Sequence, residues 1–142
     1  MYNSAAIDPA TGSWVTLTFD SERFDTDTMH EGVTNPSRLT VPTNGGGIYS
    51  IGACVSFDTG DSANADNLLG VRVLLNGTAA IVQDLRNEYR AEANDLCISV
   101  STLFQAVATN YLEVQVYIDR DINVLASLNY SPEFWAIWQR RA

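Results

Sequence analysis

A proline, three consecutive glycines and a long alternating stretch restrict the fold of this chain more than any other feature. Pro42 has no backbone donor and closes a short strand. Gly45, Gly46 and Gly47 are expected to adopt the positive φ of a tight connection. From 48 to 57 the chain then alternates: Tyr49, Ile51, Ala53, Val55 and Phe57 share one face, and Ile48, Ser50, Gly52, Cys54 and Ser56 share the other. A solvated strand face usually carries Lys, Glu, Arg or Thr, whereas this second face is almost entirely small. The pattern predicts a core strand whose small face meets another backbone closely.

The same period of two recurs along the chain. Val15, Leu17 and Phe19 alternate with Trp14, Thr16 and Thr18. Val71, Val73 and Leu75 alternate up to Asn76-Gly77, the strongest hairpin signal present, and 80–85 returns from it. Leu96, Ile98 and Val100 oppose Cys97, Ser99 and Ser101; Leu112, Val114, Val116 and Ile118 oppose Tyr111, Glu113, Gln115 and Tyr117. Stretches 122–128 and 133–139 are apolar and rich in β formers, while 20–37 reads as loops and short edge segments, 58–67 as a loop and 86–95 as a loop or short strand. Residues 1–12 show no alternation and read as an arm, disordered until it meets a partner. The expectation is an all-β sandwich of about nine strands, with an arm at 1–12 and one domain at 13–142.

The order Val-Pro, Gly-rich turn, Gly-Ile-Tyr and long apolar strand resembles the C1q/TNF-like jelly roll, in the form found in bacteriophage virion proteins. Gly70 to Gly77 is similar to the strand and Asn-Gly hairpin that the family places next. Residues 103 to 117 are similar to its paired strands around a Leu-x-x-Gly-Asp turn, although Ala108-Thr109-Asn110 stands where Gly-Asp is usual. Ser131-Pro132-Glu133-Phe134-Trp135 resembles the closing strand, and the likeness spans 13 to 139. The resemblance implies a non-enzymatic homotrimer, with Trp14 and Trp135 in adjacent strands of the inner sheet and Cys54 and Cys97 on paired strands. It also implies calcium near the trimer axis in some members.

At 142 residues, with 46% hydrophobic and 18% charged residues, the chain can bury a core as one domain and is too apolar to be an extended disordered chain. Its net charge of −9 disfavours a phosphate backbone as partner, because that affinity comes from clustered cations. All eight basic residues are arginine, a feature with no structural account. No apolar run reaches membrane-spanning length and the amino terminus has no signal pattern, so membrane insertion is not expected and synthesis in the host cytoplasm is. Two cysteines are too few for a disulfide scaffold, and Cys54 and Cys97 are expected to lie close, on one side of a sheet, and to stay reduced.

Catalytic signals are weak. His30 is the only histidine and reads as a surface residue outside any nucleophile context. The glycines lack the Lys-Ser/Thr of a phosphate loop and precede a strand, so an enzyme is not expected. Asp58, Asp61 and Asp66, with Asn64 and Asn67, supply oxygen ligands suited to Ca²⁺ but fit no EF-hand spacing; no cofactor is otherwise indicated.

The resemblance implies a virion surface protein, and the expectation is a capsid decoration protein, since no collagen repeat or shaft accompanies the domain. The expected trimer interface comprises Trp14, Ser50, Gly52, Cys54, Ser56, Tyr111, Tyr117, Trp135 and Ile137. Tyr2, Ile7 and Pro9 are the expected attachment to the major capsid or another virion protein. The alternative is a fibre module binding a host-surface glycan, for which exposed aromatics would be required.

Overall fold

The structure, a computed structural model, describes residues 1–58, 65–90, 95–126 and 132–141. Its strands are β1 (Trp14–Thr16), β2 (His30–Glu31), β3 (Asn35–Thr40), β4 (Gly47–Asp58), β5 (Ala65–Leu75), β6 (Ala79–Arg90), β7 (Leu96–Ala106), β8 (Tyr111–Ile118), β9 (Asn123–Val124) and β10 (Glu133–Arg140). All pairings are antiparallel and form two sheets. One runs β2-β3-β8-β5-β6, with β1 continuing the β3 edge of β8; the other runs β10-β4-β7, with β9 beside the end of β4.

Alternation explains how the sheets face each other. Tyr49, Ile51, Ala53, Val55 and Phe57 of β4 are all buried, as the period of two predicts, and meet Leu69, Val71, Val73, Leu112, Val114 and Val116 from the opposite sheet in one core. Burying apolar surface at about 25 cal/mol per Å² makes this interlayer the main stabilising contact. Leu17 and Phe19 join it although β1 stops at Thr16: the Phe19 amide donates to the Pro36 carbonyl at 2.8 Å, so the chain leaves β8 but stays against the core.

Several expectations need correction. The glycine turn does not use positive φ, which among the described glycines occurs only at Gly12 and Gly77. Crowding explains it instead. A Cβ on Gly45 would lie 2.7 Å from the Pro42 ring and 2.9 Å from the Tyr49 hydroxyl, and one on Gly47 would lie 2.6 Å from the Trp138 indole nitrogen. β6 extends to Arg90, absorbing half of the segment read as a loop, and 122–128 contributes only the short β9 among described residues.

The amino-terminal segment is not a free arm. The Phe134 amide donates to the Met1 carbonyl at 2.9 Å, Ile7 and Val124 exchange backbone hydrogen bonds, and Pro9 is buried. Its lack of alternation reflects single bridges rather than ladders, since Tyr2 meets Ser21 and Glu133 and Ile7 meets Val124 one residue at a time.

The β7–β8 turn shows how the chain manages without the usual Gly-Asp. Thr109 takes φ 68°, and the Asn110 side chain accepts from the Val107 amide at 3.0 Å. A β-branched residue in the left-handed region costs about 1–3 kcal/mol. Thr109→Gly removes that strain against a smaller entropic loss, so stability rises by about 1 kcal/mol, read as a higher urea midpoint at unchanged m-value.

Candidate interaction surface

The outward face of β10-β4-β7 is built from cross-strand rows. Ile137, Ser50 and Leu103 form one row; Trp135, Gly52 and Ser101 the next; Glu133, Cys54 and Ser99 the third. Leu103 is 70% exposed and Ile137 47%, whereas Glu133, the one charged residue in these rows, is bound by Arg23. The face is therefore uncharged at its centre, with two large apolar side chains flanking a serine.

The small residues on β4 have an intramolecular reason as well. A Cβ on Gly52 would lie 2.8 Å from Trp135 Cε2 and 2.8 Å from the Val100 carbonyl oxygen. The indole of Trp135 thus lies over Gly52 of the adjacent strand, so the expected close approach at this position is to a side chain of the same chain. Ser56 is buried and its carbonyl accepts from Leu125 at 2.8 Å.

Cys54 and Cys97 lie on this face with their Sγ atoms 2.8 Å apart, both as free thiols. Burial, then the hydrogen bond to Cys97, pushes the Cys54 thiol up to about 11 from an ordinary 9.0. At pH 8 its thiolate population is then about 100-fold below that of an ordinary thiol, and because a thiolate of higher pKa is the better nucleophile, iodoacetamide is expected to alkylate Cys54 about 10-fold more slowly in the folded protein than in denaturant. The sign for stability follows. The raised folded value makes the neutral thiol stabilising below pH 9, and that contribution is lost as pH rises towards 11.

Trp14, Tyr111 and Tyr117 belong to the opposite surface. β1 pairs with β8 rather than with β10, so Trp14 and Trp135 lie in different sheets, and one contact face cannot contain the whole set expected from sequence. Trp14 packs against Tyr117 at 5.7 Å between ring centroids, with the Arg72 guanidinium 4.2 Å from the Trp14 ring. Arg72 also donates to Gln115 Oε1 at 2.8 Å, and burial lowers its pKa. Arg38 lies 4.1 Å from the Tyr111 ring and donates to the buried Glu113 at 3.1 Å. Trp14 and Tyr111 serve as platforms for the chain's own arginines.

A groove of about 300 Å³ opens beside β10, lined by Phe24, Asp25, Asp27, Trp135 and Ile137 among others. His30 closes its floor and is buried rather than superficial: Nδ1 lies 2.7 Å from Glu22 Oε1 and Nε2 3.3 Å from the Pro36 carbonyl. Both ring nitrogens thus face intramolecular acceptors. Asp25 accepts from the amides of Met29 and His30 at 3.0 and 2.9 Å, which holds the loop in place.

The calcium candidates divide. Asp58 ends β4 and Asp66 lies on β5, while Asp61 is outside the described residues. Among the described residues no group of three or more His, Cys, Asp or Glu side chains gathers as a metal site.

Comparison with known proteins rests on shape. No protein-family model matches the sequence, and no curated protein is significantly similar to it. Among solved structures it is similar to the globular domain of zebrafish complement 1qA protein, with a TM-score of 0.66 at 9% identity, covering 99% of this chain and 95% of that one. The fold is the C1q/TNF-like jelly roll. Within this jelly roll, Leu103 was missed by sequence reading although the phase of Cys97, Ser99 and Ser101 already points it outward. Phe24, 72% exposed at the groove, carries no periodic signal because it lies between strands.

Proposed function

We propose that this chain is a non-enzymatic protein of a bacteriophage virion surface, packed as a homotrimer through the outward face of β10-β4-β7 and serving capsid decoration. The observation that carries the trimer is the uncharged face centred on Ser50, with Leu103 and Ile137 exposed beside it. Exposed apolar side chains gathered on an uncharged patch are expected to be covered by a partner. Around a three-fold axis each copy turns this patch inward, the Leu103 side of one meeting the Ile137 side of the next, which is the heterologous contact a closed trimer needs. Trp14, Tyr111 and Tyr117 lie off this face; of the expected residues on it Ser50, Cys54, Trp135 and Ile137 offer surface and Leu103 joins them, while Gly52 and Ser56 are buried within the chain.

Virion attachment is assigned to the amino-terminal segment. Tyr2, Ile7 and Pro9 hold it against the domain, and Ala5, Ala6 and Asp8 face outward. Sedimentation at micromolar concentration tests the trimer, and a monomer there rejects it. Imaging particles with and without the protein tests the role: loss of capsid surface density supports decoration, loss of tail-tip density rejects it. Arginine at Ala5 and Ala6 is expected to abolish incorporation while leaving the trimer intact.

The groove beside β10 supports a second reading, a module that binds host-surface glycan. Phe24 and Trp135 supply aromatic surface and Asp25 and Asp27 supply carboxylates, the combination that stacks and hydrogen-bonds sugars. Loss of glycan binding on Phe24→Ala, in a protein that binds purified host polysaccharide, would establish it.

A further inference from the structure

We propose that Cys54 and Cys97 form an oxidisable dithiol that closes to an intrachain disulfide when the protein meets a small disulfide oxidant such as oxidised glutathione. In the β4–β7 ladder Cys54 opposes Ser99 and Cys97 opposes Ser56, so the two cysteines are diagonal neighbours on one face. Diagonal neighbours ordinarily stand about 7–8 Å apart along the backbone, at or just beyond the roughly 7 Å that a disulfide spans, so closure also asks for a small inward shift of the strands. Here the side chains lean towards each other, with Sγ atoms 2.8 Å apart against a bonded separation of about 2.05 Å. The ladder is paired without a break from Gly47 to Phe57, so the strands are held on both sides of the pair. Cys97 is exposed and the hydroxyl beside it, that of Ser99, is small and 3.9 Å from Sγ, which leaves room for an incoming reagent.

Exposure sets the order of events. Cys97 is exposed and Cys54 half-buried with its thiol pushed up to about 11, so Cys97 reacts first. Its thiolate attacks one sulfur of the oxidant, the S–S bond breaks, and one glutathione thiolate leaves with the bonding pair. Cys54, having given up its proton, then attacks Cys97 Sγ and expels the second glutathione. The two protein thiols lose two protons and two electrons, and one oxidised glutathione becomes two reduced molecules.

The bond would tie residues 43 apart in sequence. Closing a loop of that length raises the thermal midpoint by roughly 10 °C.

The test incubates the purified protein with oxidised glutathione, quenches with acid, alkylates in denaturant and measures intact mass. The experiment is repeated on the Leu103→Asp/Ile137→Asp variant, so that covering of the face by a second copy cannot hide the thiols. The expected product is two hydrogens lighter, takes no alkyl group and melts higher than the reduced protein, while Cys54→Ser stops at one glutathione on Cys97. Two alkylatable thiols in the Leu103→Asp/Ile137→Asp variant, a stable glutathione adduct in the protein with both cysteines, or a disulfide-linked dimer would each overturn the proposal. Sedimentation of the same samples reports the oligomer separately, so the dithiol and the trimer can fail independently.

Discussion

Leu103→Asp combined with Ile137→Asp is expected to turn a trimer into a folded monomer. The two residues flank Ser50 in one cross-strand row and are 70% and 47% exposed, so replacing them removes little that holds a single chain together. Surface substitutions of this kind change stability by about 0.5 kcal/mol. In the assembled state the same carboxylates would be buried opposite uncharged surface, which costs several kcal/mol per site, or more than roughly 1000-fold in association. Analytical ultracentrifugation with a circular-dichroism melt separates the two effects. A double variant that remains trimeric places the interface elsewhere.

Gly52→Leu is the second large effect and acts on the single chain. The position is enclosed from two directions, by the indole of Trp135 on β10, whose Cζ2 is the atom nearest a nascent Cβ, and by the Val100 carbonyl on β7, 2.8 Å from it. The carbonyl belongs to the β4–β7 ladder and cannot yield without breaking sheet, and the indole can move only by exposing its underside. Overpacking of this kind costs about 3 kcal/mol or more, a large part of the stability of a domain this size. A double-mutant cycle divides the cost. Gly52→Ala is expected to lose about 2 kcal/mol beside Trp135 and about half of that in a Trp135→Ala background, where only the Val100 contact persists. Equal losses in both backgrounds would show that the indole does not press on this position.

How much of this was readable beforehand depends on the range of the interactions. The β4 core face was legible residue by residue, because a strand between two sheets must alternate and Tyr49 to Phe57 do so without interruption. The Asn76-Gly77 hairpin was legible because the turn requires left-handed residues, and both adopt positive φ. The juxtaposition of the thiols was legible once β4 and β7 were taken to pair, since both cysteines occupy the small phase of their strands. Leu103 was equally legible by phase. The anchoring of the amino terminus was not, because isolated bridges such as Ile7 to Val124 leave no periodic trace.

Local residue patterns suffice for the core strands β4, β5, β7 and β8, for the faces they turn inward and for the Asn76-Gly77 turn. These follow from backbone stereochemistry and the period of side-chain direction, which act within a few residues. Which edges meet is settled by the folded chain as a whole. It put Trp14 beside Tyr117 instead of Trp135, His30 against Glu22 and the Pro36 carbonyl, and the Trp135 indole over Gly52. Those choices depend on which distant segment best buries its apolar surface while satisfying its backbone donors and acceptors, a competition among many pairings that no local window of residues records.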